Sequence, residues 1–210
     1  MDRKKITDED LIEQFQNDDI TAFNELVARY KDPLYNFVSR MLKDSVFAED
    51  IVQETFVRVY RNRDRYKKIA KFSTWIYTIA INLTKTEIRR QNLRRFFSIS
   101  GFAEEGKSFE LPDTRINIEK GTEDSIIGEQ IRDAIDQLPK TFREVIILRD
   151  IQELSYEEIS KIVGVPLGTI KSRVNRGRTR LHSILKGALA TDYDDGTPPV
   201  RRGRKKKQEK

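Results

Sequence analysis

The chain has 210 residues, enough for two small domains; 35% of them are charged and 37% are hydrophobic. Lysine and arginine number 40 against 34 acidic residues, so the net charge is only +6 and its distribution is more informative than its sum. Because there is no cysteine and only one histidine, His182, disulfides and thiolate metal sites are excluded, and we expect no metal or other cofactor. Since no apolar run approaches the ~20 residues of a membrane span and the N-terminus lacks the apolar core of a signal peptide, we expect a cytoplasmic protein without membrane insertion.

Composition divides the chain into four parts. Helical periodicity fills residues 6–93 and again 125–189, whereas the intervening segment 94–124 contains several glycines and Pro112 and shows little periodicity. Residues 190–210 are polar and separate their charges into an acidic half and a basic half, which is typical of a disordered tail. The sequence therefore predicts an all-α protein, with two small helical domains joined by a flexible linker and followed by a disordered basic tail.

The first predicted domain contains four amphipathic segments. Thr7 and Asp10 resemble a capping box at the start of the first helix. The apolar pattern that follows repeats at three and four residues as far as Leu42. Within this pattern, Pro33 either kinks a helix or starts a new one. A third helix is predicted over about 46–62 and a fourth over about 73–90.

Two polar faces accompany these helices. Asp50, Gln53 and Glu54 lie opposite the apolar side of the third helix, and from the sequence alone a solvated face is the favoured interpretation. Four residues of the fourth helix follow one another at offsets of four, three and four, and so share one face: Thr78, Asn82, Lys85 and Arg89.

The second predicted domain begins with a helix whose inward face carries Ile127, Ile131, Ala134 and Leu138. Pro139 breaks the pattern, and a further helix is predicted after it, although the run VIIL could also form a strand on propensity alone.

A helix-turn-helix is predicted near the end of this domain. Ser155 and Glu158 form a capping box, and Gly164 suits the left-handed turn between two steeply crossing helices. On the last helix, Ile170, Val174 and Leu181 face inward. The outward face carries Lys171, Ser172, Asn175 and Arg176, and the span 166–182 holds five cations and no acid. Such a helix suits duplex DNA, which offers phosphates and base edges; the alternative is a solvated basic helix in an ordinary bundle.

Three stretches carry a resemblance to a known family: AEDIVQETFVRVYRN, FSTWIYTIAINL and LPKTFREVIILRDIQELSYEEISKIVGVPLGTIKSRVNRGRTRL. In this order they resemble the extracytoplasmic-function (ECF) sigma factors of RNA polymerase, over about residues 7–185. The resemblance implies sigma region 2 at 6–93 and sigma region 4 at 125–189. It also implies a factor without enzyme activity that binds core RNA polymerase, reads the −35 and −10 elements of specific promoters and promotes transcription initiation.

The resemblance also assigns roles to residues. Asp50, Gln53 and Glu54 correspond to the surface that binds the β′ clamp of the polymerase, and region 4 to the partner of the β flap. The loop at about 62–72 and the fourth helix correspond to the reader of the −10 element, for which the candidate residues are Tyr77, Asn82, Lys85, Arg89 and Arg90. Tyr77 is predicted to stack on a base of melted DNA, Asn82 to bond to a base edge and the cations to meet phosphates.

The helix-turn-helix corresponds to the reader of the −35 element. Lys171, Ser172, Asn175 and Arg176 are expected near base edges, whereas Thr169, Arg173 and Arg178 are candidates for phosphate contacts or structural roles. Family membership would further imply an anti-sigma factor as a partner, besides core polymerase and promoter DNA.

The linker and the tail each leave two interpretations open. Seven acids against three bases between 96 and 124 fit either an imitation of nucleic acid inside polymerase channels or an acidic tether. The seven cations after residue 200 fit either a solubilising tail or contacts to phosphates upstream of the −35 element.

Two other classes of protein are disfavoured. A helix-turn-helix response regulator or repressor would need a receiver or ligand domain, and residues 1–93 lack the alternating strands and helices of a receiver. An enzyme acting on nucleic acid would need converging acids, a nucleophile, a phosphate loop or a metal set, and the sequence shows none of these spacings.

Overall fold

The computed structural model describes residues 6–42, 44–99 and 123–191, and within these ranges the chain is helical without strands. The predicted all-α class is confirmed. The helices are α1 (Asp8–Gln16), α2 (Ile20–Leu42), α3 (Ser45–Arg61), α4 (Phe72–Ile99), α5 (Glu123–Asp136), α6 (Lys140–Ile146), α7 (Tyr156–Val163) and α8 (Leu167–Thr191). A 3₁₀ turn, Arg63–Arg65, lies between α3 and α4, and α6 continues as a π-helical segment, Ile147–Ile151.

Helices α1 to α4 form the first bundle. The hydroxyl of Thr7 accepts from the backbone N–H of Asp10 at 3.2 Å, so the predicted cap of α1 is present. Helix α2 runs without interruption through Pro33, and its buried side chains keep the helical spacing on both sides of the proline. Asp44 caps α3 by accepting from the backbone N–H groups of Val46 and Phe47. Helix α4 extends to Ile99, beyond the predicted end near Arg90.

Helices α5 to α8 form the second bundle. Arg143 is buried and its guanidinium caps the end of α5, donating to the carbonyl oxygens of Ile135 at 3.2 Å and Leu138 at 2.9 Å. The predicted inward face of α5 is wrong in its first half, since Ile127 and Ile131 are 54% and 39% exposed. The C-terminal half of α5 reaches the core through Ala134, and Leu138, two residues after the helix, is also buried.

The helix-turn-helix is present as predicted. The carboxylate of Glu158 accepts from the backbone N–H of Ser155 at 2.8 Å, and the backbone N–H of Glu158 donates to the Ser155 hydroxyl at 3.2 Å. These two bonds complete the capping box. Gly164 ends α7 with φ of +76°, a conformation that costs a side-chain-bearing residue more than glycine. Ile159, Ile162, Ile170 and Val174 are buried at the crossing, while Leu181 is only partly buried.

Candidate polymerase and DNA interfaces

The outer face of α3 combines acidic and apolar side chains. Asp50 and Gln53 are exposed, and the carboxylate of Glu54 is partly exposed and accepts from Arg58 Nε at 2.8 Å. Val57 and Tyr60 are 39% and 46% exposed. They follow Asp50 and Gln53 by seven residues each, so they lie on the same face. These two residues were absent from the prediction, although helical spacing alone could have found them; with the acids they form a surface suited to a protein partner.

Part of the predicted −10 face of α4 is exposed, and part is in contact with the second bundle. Asn82, Arg89 and Arg90 are exposed, and Arg90 lies 3.8 Å from the carboxylate of Glu87. The preceding loop exposes Lys67 and Lys68 together with Ile69, whose exposed fraction of 84% is high for an isoleucine.

Tyr77 does not lie on the open part of that face. It is 2% exposed, its ring packs edge-on against Phe37 at 5.9 Å, and its hydroxyl donates to Oε1 of Gln152 at 2.6 Å. Burial raises the pKa of the Tyr77 phenol well above its ordinary value. Because the ring is buried against Phe37 and its hydroxyl is bound to Gln152, a base cannot stack on it in this arrangement, and the prediction of a stacking surface at Tyr77 is corrected.

Lys85 is likewise engaged by the second bundle. Its ammonium lies 3.0 Å from Oε1 of Glu144, a buried residue of α6. Two further contacts join the bundles nearby: Lys71 pairs with Glu158 at 3.2 Å, and Arg143 donates to the carbonyl oxygen of Arg40 at 3.1 Å. Burial lowers the pKa of the Arg40 guanidinium at this junction. One part of the predicted −10 face of α4 is therefore covered by the second bundle, and the other part is open.

The outward face of α8 points away from the core of the second bundle and is exposed. Lys171, Ser172, Asn175 and Arg176 are all exposed, whereas Thr169 and Arg173 are half-buried nearer the core. The Ser172 hydroxyl donates to the carbonyl oxygen of Thr169 at 3.0 Å. A shallow groove runs along this face, and its lining residues are Phe142, Ser172, Asn175, Arg176, Thr179, Arg180 and Ser183.

Arg178 differs from these residues because it already has an acidic partner. Its Nε donates to Oδ2 of Asp150 at 3.1 Å, and a second nitrogen of the guanidinium bonds to the same carboxylate. The bonds to Asp150 raise the pKa of Arg178. The pair ties α8 to the π-helical segment.

The described ranges hold no cluster of three or more histidines and acids that could ligate a metal. None of the helices described is long and apolar enough to cross a membrane. The predictions for residues 100–122 of the linker and 192–210 of the tail fall outside the described residues.

Comparison with known proteins identifies the family. Residues 26–94 match the model of sigma-70 region 2, and residues 128–181 match the model of sigma-70 region 4. The chain is 37% identical over 179 residues to the ECF RNA polymerase sigma factor SigW of Bacillus subtilis, an alignment that covers 83% of this chain and 95% of that protein. The chain belongs to the ECF sigma factor family. It is accordingly a factor for promoter-specific transcription initiation by RNA polymerase.

Two further relatives agree with this assignment. The ECF sigma-E factor of Escherichia coli is 37% identical over 187 residues, covering 87% of this chain and 96% of that protein. Among solved structures, the sigma factor RpoE of Bartonella quintana, in complex with the anti-sigma factor NepR, is similar to this chain. It superposes with a TM-score of 0.64 at 27% identity, over 78% of this chain and 96% of that chain. The helices α2 to α4 thus belong to region 2 and α5 to α8 to region 4.

Proposed function

We propose that this sigma factor reads the −35 element with the outward face of α8 and the −10 element with α4 and the loop before it. The observation that carries the proposal is the exposed face of the second helix of the helix-turn-helix, where Lys171 and Arg176 flank Ser172 and Asn175. Arginine and asparagine make paired hydrogen bonds to guanine and adenine edges in the major groove, and the surrounding cations suit phosphates. Arg173, Arg178 and Thr169 then support the helix or meet the backbone of the DNA.

Core polymerase binding is proposed for the outer face of α3. Asp50, Gln53 and Glu54 supply hydrogen-bond acceptors for a basic surface on the β′ clamp, and the exposed Val57 and Tyr60 add apolar area. Region 4 is proposed to contact the β flap. Since the acids and the apolar residues lie on one helix face, a single docking surface can use both.

In region 2, the open part of α4 is proposed to meet melted −10 DNA. Asn82 offers an amide for a base edge, and Arg89 and Arg90 offer charge for phosphates. Lys85 would join them only after leaving Glu144.

An anti-sigma factor is a further proposed partner, because the similar RpoE structure is a complex with one. We also propose that the acidic linker occupies polymerase channels; the alternative is a simple tether. The basic tail is proposed to add contacts to DNA phosphates; the alternative is a solubilising tail. The site of action would be the cytoplasm, with the polymerase.

Run-off transcription tests the proposal. Core polymerase with and without the chain is incubated with fragmented genomic DNA, and the transcripts are mapped. We expect a set of start sites that needs the chain and shares two upstream elements. Comigration of the chain with core polymerase would distinguish a sigma factor from a repressor, which is not expected to comigrate. Absence of chain-dependent starts, with the chain bound to core polymerase, would contradict promoter reading.

A further inference from the structure

Helix α1 contacts the loop that precedes α4 at several points. This helix, Asp8–Gln16, lies before residues 26–94, the part of the chain that matches the region 2 model. Its apolar side packs into the first bundle through Leu11, Ile12 and Phe15. Its polar side faces residues 62–71, a loop with little regular structure beyond one 3₁₀ turn.

Gln16 fixes the beginning of the loop. Its amide nitrogen donates to the carbonyl oxygen of Arg63 at 2.7 Å and to that of Tyr66 at 3.1 Å. These carbonyls stand at the first residue of the 3₁₀ turn and just after its last, so one side chain spans the whole turn. The contacts are partly buried, and a carbonyl that loses its donor there is poorly compensated.

Glu9 fixes the end of the loop. Its Oε1 accepts from the backbone N–H of Phe72 at 3.0 Å, and Phe72 is the first residue of α4. The N–H groups of a first helical turn have no partner within the helix, and a carboxylate is favoured beside them by the helix dipole. The fully buried ring of Phe72 holds the same point from the core side.

Ion pairs along the surface add to these two anchors. The ammonium of Lys68 lies 3.4 Å from Glu13 and 3.6 Å from Asp10, and Arg63 pairs with Asp18 just beyond α1. Exposed pairs of this kind contribute little energy, but they favour one orientation of the loop. With its flanks held, the loop leaves Ile69 projecting at 84% exposure.

We propose that α1 positions the loop 62–71 for melted −10 DNA, with Gln16 and Glu9 as the positioning residues. This rests on the proposed role of the loop in reading the −10 element. A loop that is ordered before binding loses less conformational freedom when the DNA arrives, and it presents its side chains in one arrangement. Discrimination at the −10 element then depends on a helix outside the loop and α4, which carry the proposed DNA contacts.

The test compares Gln16→Leu with Gln14→Leu in the full chain. Gln14 is an exposed residue of the same helix, so its substitution changes the same residue type without touching the loop. Gln16→Glu keeps the shape and removes the donors, which guards against an effect of the leucine itself. Hydrogen exchange of the backbone amides in 62–71 reports loop order, and thermal unfolding reports the fold.

Function is measured with holoenzyme on a promoter recovered by the run-off screen. A panel of single base substitutions at −10 and at −35 gives the discrimination at each element, and core binding is measured in parallel. For Gln16→Leu we expect faster exchange in the loop and a loss of about 5- to 30-fold in −10 discrimination, a range that corresponds to the loss of one or two hydrogen bonds. Discrimination at −35 and core binding should match the wild type, as should every property of Gln14→Leu.

Three results would overturn the proposal: unchanged loop exchange in both Gln16 variants, a loosened loop with unchanged −10 discrimination, or equal losses at −10, at −35 and in core binding. Failure of the wild-type holoenzyme to initiate would instead contradict the proposed function. The exchange measurement would still decide whether α1 orders the loop.

Discussion

The hydroxyl of Tyr77 donates a hydrogen bond of 2.6 Å to Oε1 of Gln152, and this bond joins α4 of region 2 to the segment before the helix-turn-helix of region 4. The amide nitrogen of Gln152 reaches the carbonyl oxygen of Pro33 in α2 at 3.5 Å, so one glutamine spans two helices of region 2. Together with the pair between Lys85 and Glu144, this contact covers part of the surface proposed for −10 DNA.

Tyr77→Phe is expected to loosen the contact between the regions while leaving each bundle folded. The substitution keeps the ring but removes the hydroxyl, which should cost about 1 kcal/mol and raise the open fraction about five-fold. Since the chain has no cysteine, spin labels on Lys31→Cys and Lys161→Cys, both at exposed positions, report the distance between the regions. Tyr60→Phe, on the outer face of α3, is the control. A distance distribution that Tyr77→Phe leaves unchanged would contradict this role of the hydroxyl.

Charge reversal at Asp50 and Glu54 is expected to weaken core polymerase binding. The double substitution to lysine removes two acceptors from the outer face of α3. It also replaces the ion pair of Glu54 with Arg58 by a like-charge i,i+4 pair, which costs the helix only about 0.2–0.5 kcal/mol. Helical content should therefore stay the same while holoenzyme assembly falls. Reversal of two exposed acids of α2, Glu25 and Asp32, is the matched control, because Glu25 pairs with Arg29 at i,i+4 as Glu54 does with Arg58. If both double variants assemble holoenzyme equally well, the outer face of α3 is not part of the interface with core polymerase.

Gly177→Ala and Gly168→Ala are expected to change the stability of region 4 in opposite directions. A Cβ on Gly177 would lie 2.8 Å from Cγ1 and 3.1 Å from Cδ1 of Ile146, and overpacking of this kind costs about 1–3 kcal/mol. A Cβ on Gly168 meets nothing within 4 Å, so the higher helix propensity of alanine should stabilise α8, by up to about 1 kcal/mol. Thermal unfolding of the two variants checks the sign of each change.

Features set by a few neighbouring residues could be predicted from the sequence. The cap at Thr7, the box of Ser155 with Glu158 and the left-handed Gly164 all depend on atoms within one turn of helix. The outward face of α8 followed from helical spacing, because the core beneath it is continuous.

Features set by contacts between the regions could not be predicted in this way. Tyr77 and Gln152 are 75 positions apart, and no local pattern distinguishes a tyrosine that stacks on DNA from one that joins two bundles. The exposure of Ile127 and Ile131 likewise depends on how far the core of region 4 extends along α5. In the π-helical segment, Arg149 donates to the carbonyl oxygen of Leu154 at 2.8 Å, a contact that the run VIIL does not encode.

Asn82→Ala is expected to impair open-complex formation more than the first capture of duplex DNA. Asn82 is exposed on the open side of α4, where its amide can bond to an unstacked base. Permanganate footprinting of the holoenzyme on a recovered promoter should show lower thymine reactivity near −10. Asn24→Ala, the same substitution at an exposed position of α2 outside the proposed DNA surface, is the control. Reactivity equal to the wild type in Asn82→Ala would exclude this contact.

The central claim, that two separate surfaces of one chain read two promoter elements, is tested most directly by a base-substitution panel across one promoter. Initiation is measured for the wild-type holoenzyme and for the variants Arg176→Ala, Arg178→Ala and Asn82→Ala. Arg176→Ala should lose about 1–3 kcal/mol of discrimination at one −35 position and none at −10, since its exposed guanidinium is placed for a base edge. Arg178→Ala, whose guanidinium is bound to Asp150, should weaken initiation uniformly on all sequences, and Asn82→Ala should change preference at −10 alone. The same uniform loss in all three variants would contradict the account.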